Sequence, residues 1–144
     1  MILTNRVLLI DDEQNFAETL AERLELQGMV VETAASGEEA LDKVKQHDYD
    51  AVLLDYLMPG WDGIETLKHL KAIKPDLQIV LLTGHATVQK GVAAIKAGAL
   101  DIVEKPADFS ELIQKIEEAS AQKAILVEEK IEHDLEDIIR KRGW

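Results

Sequence analysis

Three short apolar runs, each stopping at an oxygen-bearing side chain, constrain this chain more than any other feature. Val7, Leu8, Leu9 and Ile10 end at Asp11 and Asp12. Ala51, Val52, Leu53 and Leu54 end at Asp55, and Ile79, Val80, Leu81 and Leu82 end at Thr83. Runs this short, apolar on both faces, suit central strands of a parallel sheet covered on both sides. Met29, Val30 and Val31 form a weaker run, as do Ile102 and Val103, and these read as edge strands.

Helical patterns fill the intervals. Phe16, Leu20 and Leu24 mark one face of a first helix, and Gly28 provides its left-handed stop. Ser36 with Glu39, and Asp62 with Glu65, have capping-box spacing for a second and a third helix. Pro75 stops the third. A fourth, from about Thr87 to Ala97, carries Val88, Val92 and Ile95 on its apolar face, and its start shows no clear cap. A fifth begins at Asp108, with Glu111 at the capping position and Leu112, Ile113 and Ile116 facing the core. From Ala121 to Arg140 there is no Gly or Pro. Apolar residues recur at Ala124, Val127, Ile131, Leu135 and Ile138, so the fifth helix is expected to continue. The β–α alternation predicts a doubly wound α/β fold with helices on both faces of a five-stranded parallel sheet.

A length of 144 residues with 47% apolar content allows one ordinary domain. The formal net charge of −12 opposes direct nucleic-acid binding. Arg140, Lys141 and Arg142 are too small a basic cluster to reverse that. The absence of cysteine excludes disulfides, thiolate metal sites and thiol catalysis. No apolar run approaches the roughly 20 residues of a membrane span. The first ten residues lack the pattern of a signal peptide. The expected location is the cytoplasm, with no membrane partner.

In an open parallel sheet, ligands bind beyond the carboxyl ends of the strands. Asp11, Asp12, Asp55 and Thr83 all fall there, and Lys105 follows the last strand. Taken singly, each has an ordinary explanation: an Asp after a strand is commonly a turn or cap residue. Together they place three carboxylates, a hydroxyl and an ammonium on one rim. Clustered carboxylates repel unless a cation joins them. Oxygen donors without His or Cys favour Mg²⁺. Asp12 and Asp11 then hold the metal. Asp55 coordinates through one oxygen and attacks phosphorus with the other, while Lys105 and Thr83 neutralise the charge that develops.

These residues resemble those of the receiver domains of two-component response regulators. The likeness runs from about Arg6 to Ala119. It rests on Asp11-Asp12, on Asp55 with Met58-Pro59-Gly60 and Asp62-Gly63, on Thr83-Gly84, on Lys96-Ala97-Gly98-Ala99 and on Lys105-Pro106. The resemblance implies a flavodoxin-like strand order 2-1-3-4-5, a receiver over residues 1–120 and a helical extension over 121–144. It implies that Asp55 accepts a phosphoryl group from a sensor histidine kinase or a histidine phosphotransfer protein. Mg²⁺ would be held by Asp11, Asp12, Asp55 and the Leu57 carbonyl, Thr83 would move toward the phosphoryl oxygens and Lys105 would pair with them. The Lys105–Pro106 bond would be cis. Such a domain catalyses only its own phosphorylation and dephosphorylation, and signals through contacts with a downstream protein or an output domain missing from this sequence.

Two features depart from the family pattern. Ile102 stands where an aromatic usually transmits the switch, so the switch is expected to run through shifts of the fourth helix. The tail admits three readings: a dimerising helix, a linker to an output domain, or a segment folded back on its own domain. The fourth helix–fifth strand face is an alternative homodimer surface. Tyr56 is expected to pack beside the site, His85 to lie in a nearby solvated loop, and Trp61 to be exposed. A small-molecule phosphohydrolase fits less well, because its nucleophile usually follows the first strand in an Asp-x-Asp pattern. A fold-only interaction module would not need the five site residues.

Overall fold

The strands are short because each crosses the core once and stops at its rim. In the computed structural model, which describes residues 5–143, these are β1 (Arg6–Ile10), β2 (Val30–Ala34), β3 (Ala51–Asp55), β4 (Ile79–Thr83) and β5 (Asp101–Glu104). They form one parallel sheet in the order β2-β1-β3-β4-β5, as anticipated. The helices are α1 (Gln14–Leu26), α2 (Gly37–Gln46), α3 (Gly63–Ile73), α4 (Val88–Lys96) and α5 (Phe109–Lys141). The first four residues and Trp144, which belong to the expected 1–120 and 121–144 units, lie outside the described residues. The first four of the ten residues that lack a signal-peptide pattern lie there too.

Strand alternation divides the core into two layers. Leu8, Ile10, Val52, Leu54, Ile79 and Leu81 pack with Ala40, Val44, Leu67, Leu70 and Ala94 of α2, α3 and α4. Val7, Leu9, Leu53, Val80, Leu82 and Val103 pack with Ala17, Leu20, Leu24, Leu112 and Ile116 of α1 and α5. Successive strand residues point to opposite faces, so an apolar run without alternation is what two covered faces require. Each fully buried Leu, Ile or Val contributes about 1.5–3 kcal/mol of transfer free energy.

The helix ends follow local chemistry. The Ser36 hydroxyl accepts from Glu39 N at 3.1 Å, and Glu39 reaches back to Ala35 N at 3.0 Å. Asp62 Oδ1 accepts from Glu65 N at 2.8 Å. Gly28 follows α1 with φ +89°, a conformation that costs glycine little.

Four expectations need correction. β2 begins at Val30, one residue later than its apolar run, and Val30 itself is exposed at the edge. α4 does have a cap: Thr87 Oγ1 accepts from Lys90 N at 3.1 Å. At Asp108 no side-chain cap bond forms. The apolar row of α4 faces outward, with Val88, Val92 and Ile95 exposed, while Ala94 alone of that helix is buried. Small residues bring α4 close to the sheet: a Cβ on Gly91 would lie 3.7 Å from Ile102 Cγ2.

Candidate phosphoacceptor and metal site

The parallel register puts the ends of β1, β3, β4 and β5 on one rim, and the candidate residues project from it. Asp11 follows β1 and is 3% exposed. Its Oδ1 accepts from Glu13 N at 2.8 Å, the local turn bond that an Asp in this position forms. Its Oδ2 faces Lys105 Nζ at 3.2 Å. Asp12 is exposed. Asp55 closes β3, and its Oδ1 lies 3.1 Å from Lys105 Nζ. One oxygen from each of Asp11, Asp12 and Asp55 lies within 4.8 Å of the others.

Lys105 reaches this cluster because Lys105 N donates to Thr83 O at 2.7 Å, extending the β4–β5 pairing one step past β5. The Lys105–Pro106 bond is cis, as the resemblance implied. Phe16 supports the ammonium, which lies 4.4 Å from the centre of its ring. The sequence marked Phe16 only as a helix-face residue; its approach to the lysine depends on how α1 sits against β5.

Thr83 is buried at the end of β4, and its hydroxyl accepts from His85 N at 3.3 Å. Glu104, not singled out in the sequence, accepts from Ala86 N at 3.1 Å and holds the β4–α4 loop. Lys90 donates to His85 O at 2.7 Å and lies 5.1 Å from the Tyr56 ring centre. Tyr56 is partly buried beside the site, as expected, and His85 is exposed. Trp61 departs from expectation: it stacks on His69 at 3.8 Å, with the rings 5° apart. Leu57 has an exposed side chain in the β3–α3 loop.

Gly63 is the tightest point beneath Asp55. Its N donates to Tyr56 O at 2.8 Å. A Cβ there would lie 2.8 Å from both Asp55 O and Tyr56 Cα, and both of those atoms are backbone. The Asp62-Gly63 pair therefore caps α3 and lets α3 start against the end of β3.

The electrostatics are asymmetric. Burial pushes the Asp55 carboxyl above its usual range; the Lys105 hydrogen bond opposes this, and Asp11 and Asp12 add to it. Burial also disfavours the Lys105 ammonium, but Asp55 and Asp11 outweigh it and hold that group above its usual range. One ammonium does not balance three carboxylates. A hard divalent cation fits the deficit, because the donors are all oxygens on a rim open to water.

Comparison with known proteins agrees with this arrangement. The family model for the response regulator receiver domain matches residues 7–117. The transcriptional regulatory protein ZraR of Escherichia coli O157:H7 is 38% identical over 120 residues, covering 83% of this chain and 27% of ZraR. This chain thus spans about a quarter of that relative's length. The response regulator TrrA of Thermotoga maritima, solved in complex with Mg²⁺-BeF, is 37% identical with a TM-score of 0.73, covering 81% of this chain and 99% of TrrA. A structure described as adenylate cyclase from Rhodopirellula baltica is 27% identical with a TM-score of 0.85, covering 92% of this chain and 98% of that one. Fold, rim geometry and family match converge: the chain belongs to the response regulator receiver domain family.

Proposed function

We propose that Asp55 accepts a phosphoryl group from a phosphohistidine of a sensor histidine kinase or phosphotransfer protein, in a Mg²⁺-dependent reaction. The observation that carries this reading is the juxtaposition of Asp55 with Lys105, Asp11 and Asp12 on one rim. Asp11, Asp12, Asp55 and the Leu57 carbonyl would hold Mg²⁺, which supplies charge neutralisation at the phosphoryl oxygens when bound. An Asp55 carboxylate oxygen forms the new bond to phosphorus. The bond from phosphorus to the donor nitrogen breaks, and the imidazole keeps the electron pair. Lys105 stabilises the charge on the transferring group, and the Thr83 hydroxyl supplies a further donor once it leaves His85.

In this reading residues 1–120 form the receiver and 121–144 an extension. The chain works in the cytoplasm and catalyses only its own phosphorylation and hydrolysis. It signals through contacts with a downstream protein or output domain. Ile102 lies against the α2–α3–α4 layer beneath Gly91, so displacement of α4 would carry the signal without an aromatic relay.

Acetyl phosphate with Mg²⁺ tests the reading by intact mass. One added phosphoryl group is expected, absent in Asp55→Asn and absent when the metal is chelated. No gain in the unaltered chain, or an equal gain in Asp55→Asn, would sink it.

A further inference from the structure

We infer that the cleft between α1 and α5 is a binding site for a small aromatic carboxylate. Residues of α1, β4, α5 and the loop before α5 line it, and its volume is about 320 Å³. That is the small end of the roughly 300–1,000 Å³ that ligand pockets occupy, and it leaves room for one or two rings.

The shape of the cleft follows from the packing of its walls. Leu20 of α1, Leu82 of β4 and Leu112 of α5 belong to one core layer, and these buried side chains form the apolar part of the lining. Phe16 of α1 and Phe109 of α5 also line the cleft and are only partly buried. An aromatic guest can meet such rings edge to face or in offset stacks, which adds to the gain from burying its area. Phe16 also supports the Lys105 ammonium, 4.4 Å from its ring centre. A guest in the cleft would therefore lie beside the lysine that pairs with Asp55.

Charge selects an anion. Arg23 and Lys105 are the charged residues of the lining, and both are cations, in a chain of net charge −12. Lys105 is already held by Asp55 and Asp11, so Arg23 is the anchor. Its guanidinium carbon lies 4.1 Å from the centre of the Phe109 ring, which steadies the group at the cleft. One turn away on α1 stand Thr19, Leu20, Leu26 and Gln27, so no acid at helical spacing competes for it. On α5, Asp108 and Glu111 are the acids nearest Phe109 in sequence, and neither lines the cleft. Among the described residues Arg23 forms no ion pair, and a guanidinium takes a carboxylate through two parallel N–H···O bonds. Thr19, on the same helix face as Arg23, adds a hydroxyl to that edge of the lining. A cationic guest would instead meet two like charges. The inference does not rest on chemistry at Asp55, and binding is read without metal or phosphodonor.

Calorimetry and methyl NMR on the full chain test the site, with 2-naphthoate as the probe and 2-naphthamide as its uncharged counterpart. One naphthoate per chain should bind, with a dissociation constant of about 1 mM or tighter. The amide should bind about 10-fold more weakly. Methyl resonances of Leu20, Leu82 and Leu112 should shift, while those of Leu67 and Leu70, in the other core layer, should stay. Arg23→Gln should weaken naphthoate about 10-fold and leave the amide unchanged, so that the two probes bind alike. Its thermal transition should stay in place, since Arg23 is exposed. No binding of naphthoate at about 10 mM would overturn the inference. So would equal affinity for the two probes, unchanged naphthoate affinity in Arg23→Gln, or shifts confined to Val88, Val92 and Ile95 on the outer face of α4.

Discussion

Lys105 and Asp55, carried on β5 and β3 ends with β4 between them, are held with Nζ 3.1 Å from Oδ1. The same nitrogen lies 3.2 Å from Asp11 Oδ2. The lysine is therefore already placed beside the Asp55 carboxylate, over the Phe16 ring. Replacing it with Met keeps most of the packing and removes the charge. Lys105→Met should slow phosphorylation by acetyl phosphate by roughly 10²–10³-fold, the usual effect of losing one donor to a developing anion. Mg²⁺ binding should persist, because the three carboxylates remain. Time-resolved intact mass gives the rate, and a rate within about threefold of the original would remove Lys105 from the reaction.

Three carboxylates beside one ammonium leave the apo site under repulsion. Asp55→Asn removes one of those charges and should raise the thermal midpoint of the metal-free protein at neutral pH. Mg²⁺ should raise the midpoint of the unaltered chain, by about 2.7 kcal/mol of stability at 100 times its dissociation constant. The rise should be smaller in Asp55→Asn, and EDTA should reverse it. Calorimetry showing the same Mg²⁺ response in both proteins would place the ion elsewhere.

Gly63 links the start of α3 to Asp55. Because an added Cβ would meet Asp55 O and Tyr56 Cα, neither able to move independently, Gly63→Ala forces the β3–α3 junction apart. It should cost about 1–3 kcal/mol in urea unfolding, as overpacking does. It should also slow phosphorylation, since the displaced strand end carries Asp55. Gly84→Ala, with open space around its Cβ, is the matched control and should be much milder.

Much of this was readable because each site residue terminates an apolar run, and strand ends in an open parallel sheet share a rim. Asp11, Asp55 and Thr83 needed only that pattern, and Lys105 needed the last strand. What the sequence left hidden depends on distances between elements. The spacing of Val88, Val92 and Ile95 reveals a stripe but not which way it points. The structure turns that stripe outward and sets Gly91 near Ile102 and buries Ala94 against the sheet. The Thr87 cap has no capping-box signature, because Lys90, not Glu or Gln, stands three residues on; the hydroxyl bond needs only the backbone N–H. Trp61 looked exposed because nothing local reveals that α3 lifts His69 beneath its ring.

A pH effect should appear far from the site, where β1 and β2 pair. Tyr49 Oη donates to Glu32 Oε2 at 2.7 Å, and Arg6 Nη2 lies 2.7 Å from Oε1. The Tyr49 hydroxyl lowers the Glu32 carboxyl below its usual range; burial opposes this and Arg6 assists. A carboxylate lowered on folding stabilises the native state above its unfolded value, near ~4.3. That stabilisation is lost as pH falls through the lower folded value. Tyr49→Phe should therefore cost about 1 kcal/mol near neutrality, and its difference from the unaltered chain should narrow on acidification. A deficit that stays constant down to acid unfolding would assign the hydroxyl to packing alone.

The central claim is that one particular carboxylate carries the phosphoryl group, and trapping the acyl phosphate tests it most directly. After reaction with acetyl phosphate and Mg²⁺, borohydride reduces an aspartyl phosphate to homoserine, which peptide mass spectrometry can locate. The account predicts homoserine at Asp55 and at no other aspartate. Homoserine at Asp11, Asp12 or a distant aspartate, or none despite a gain in intact mass, would contradict it.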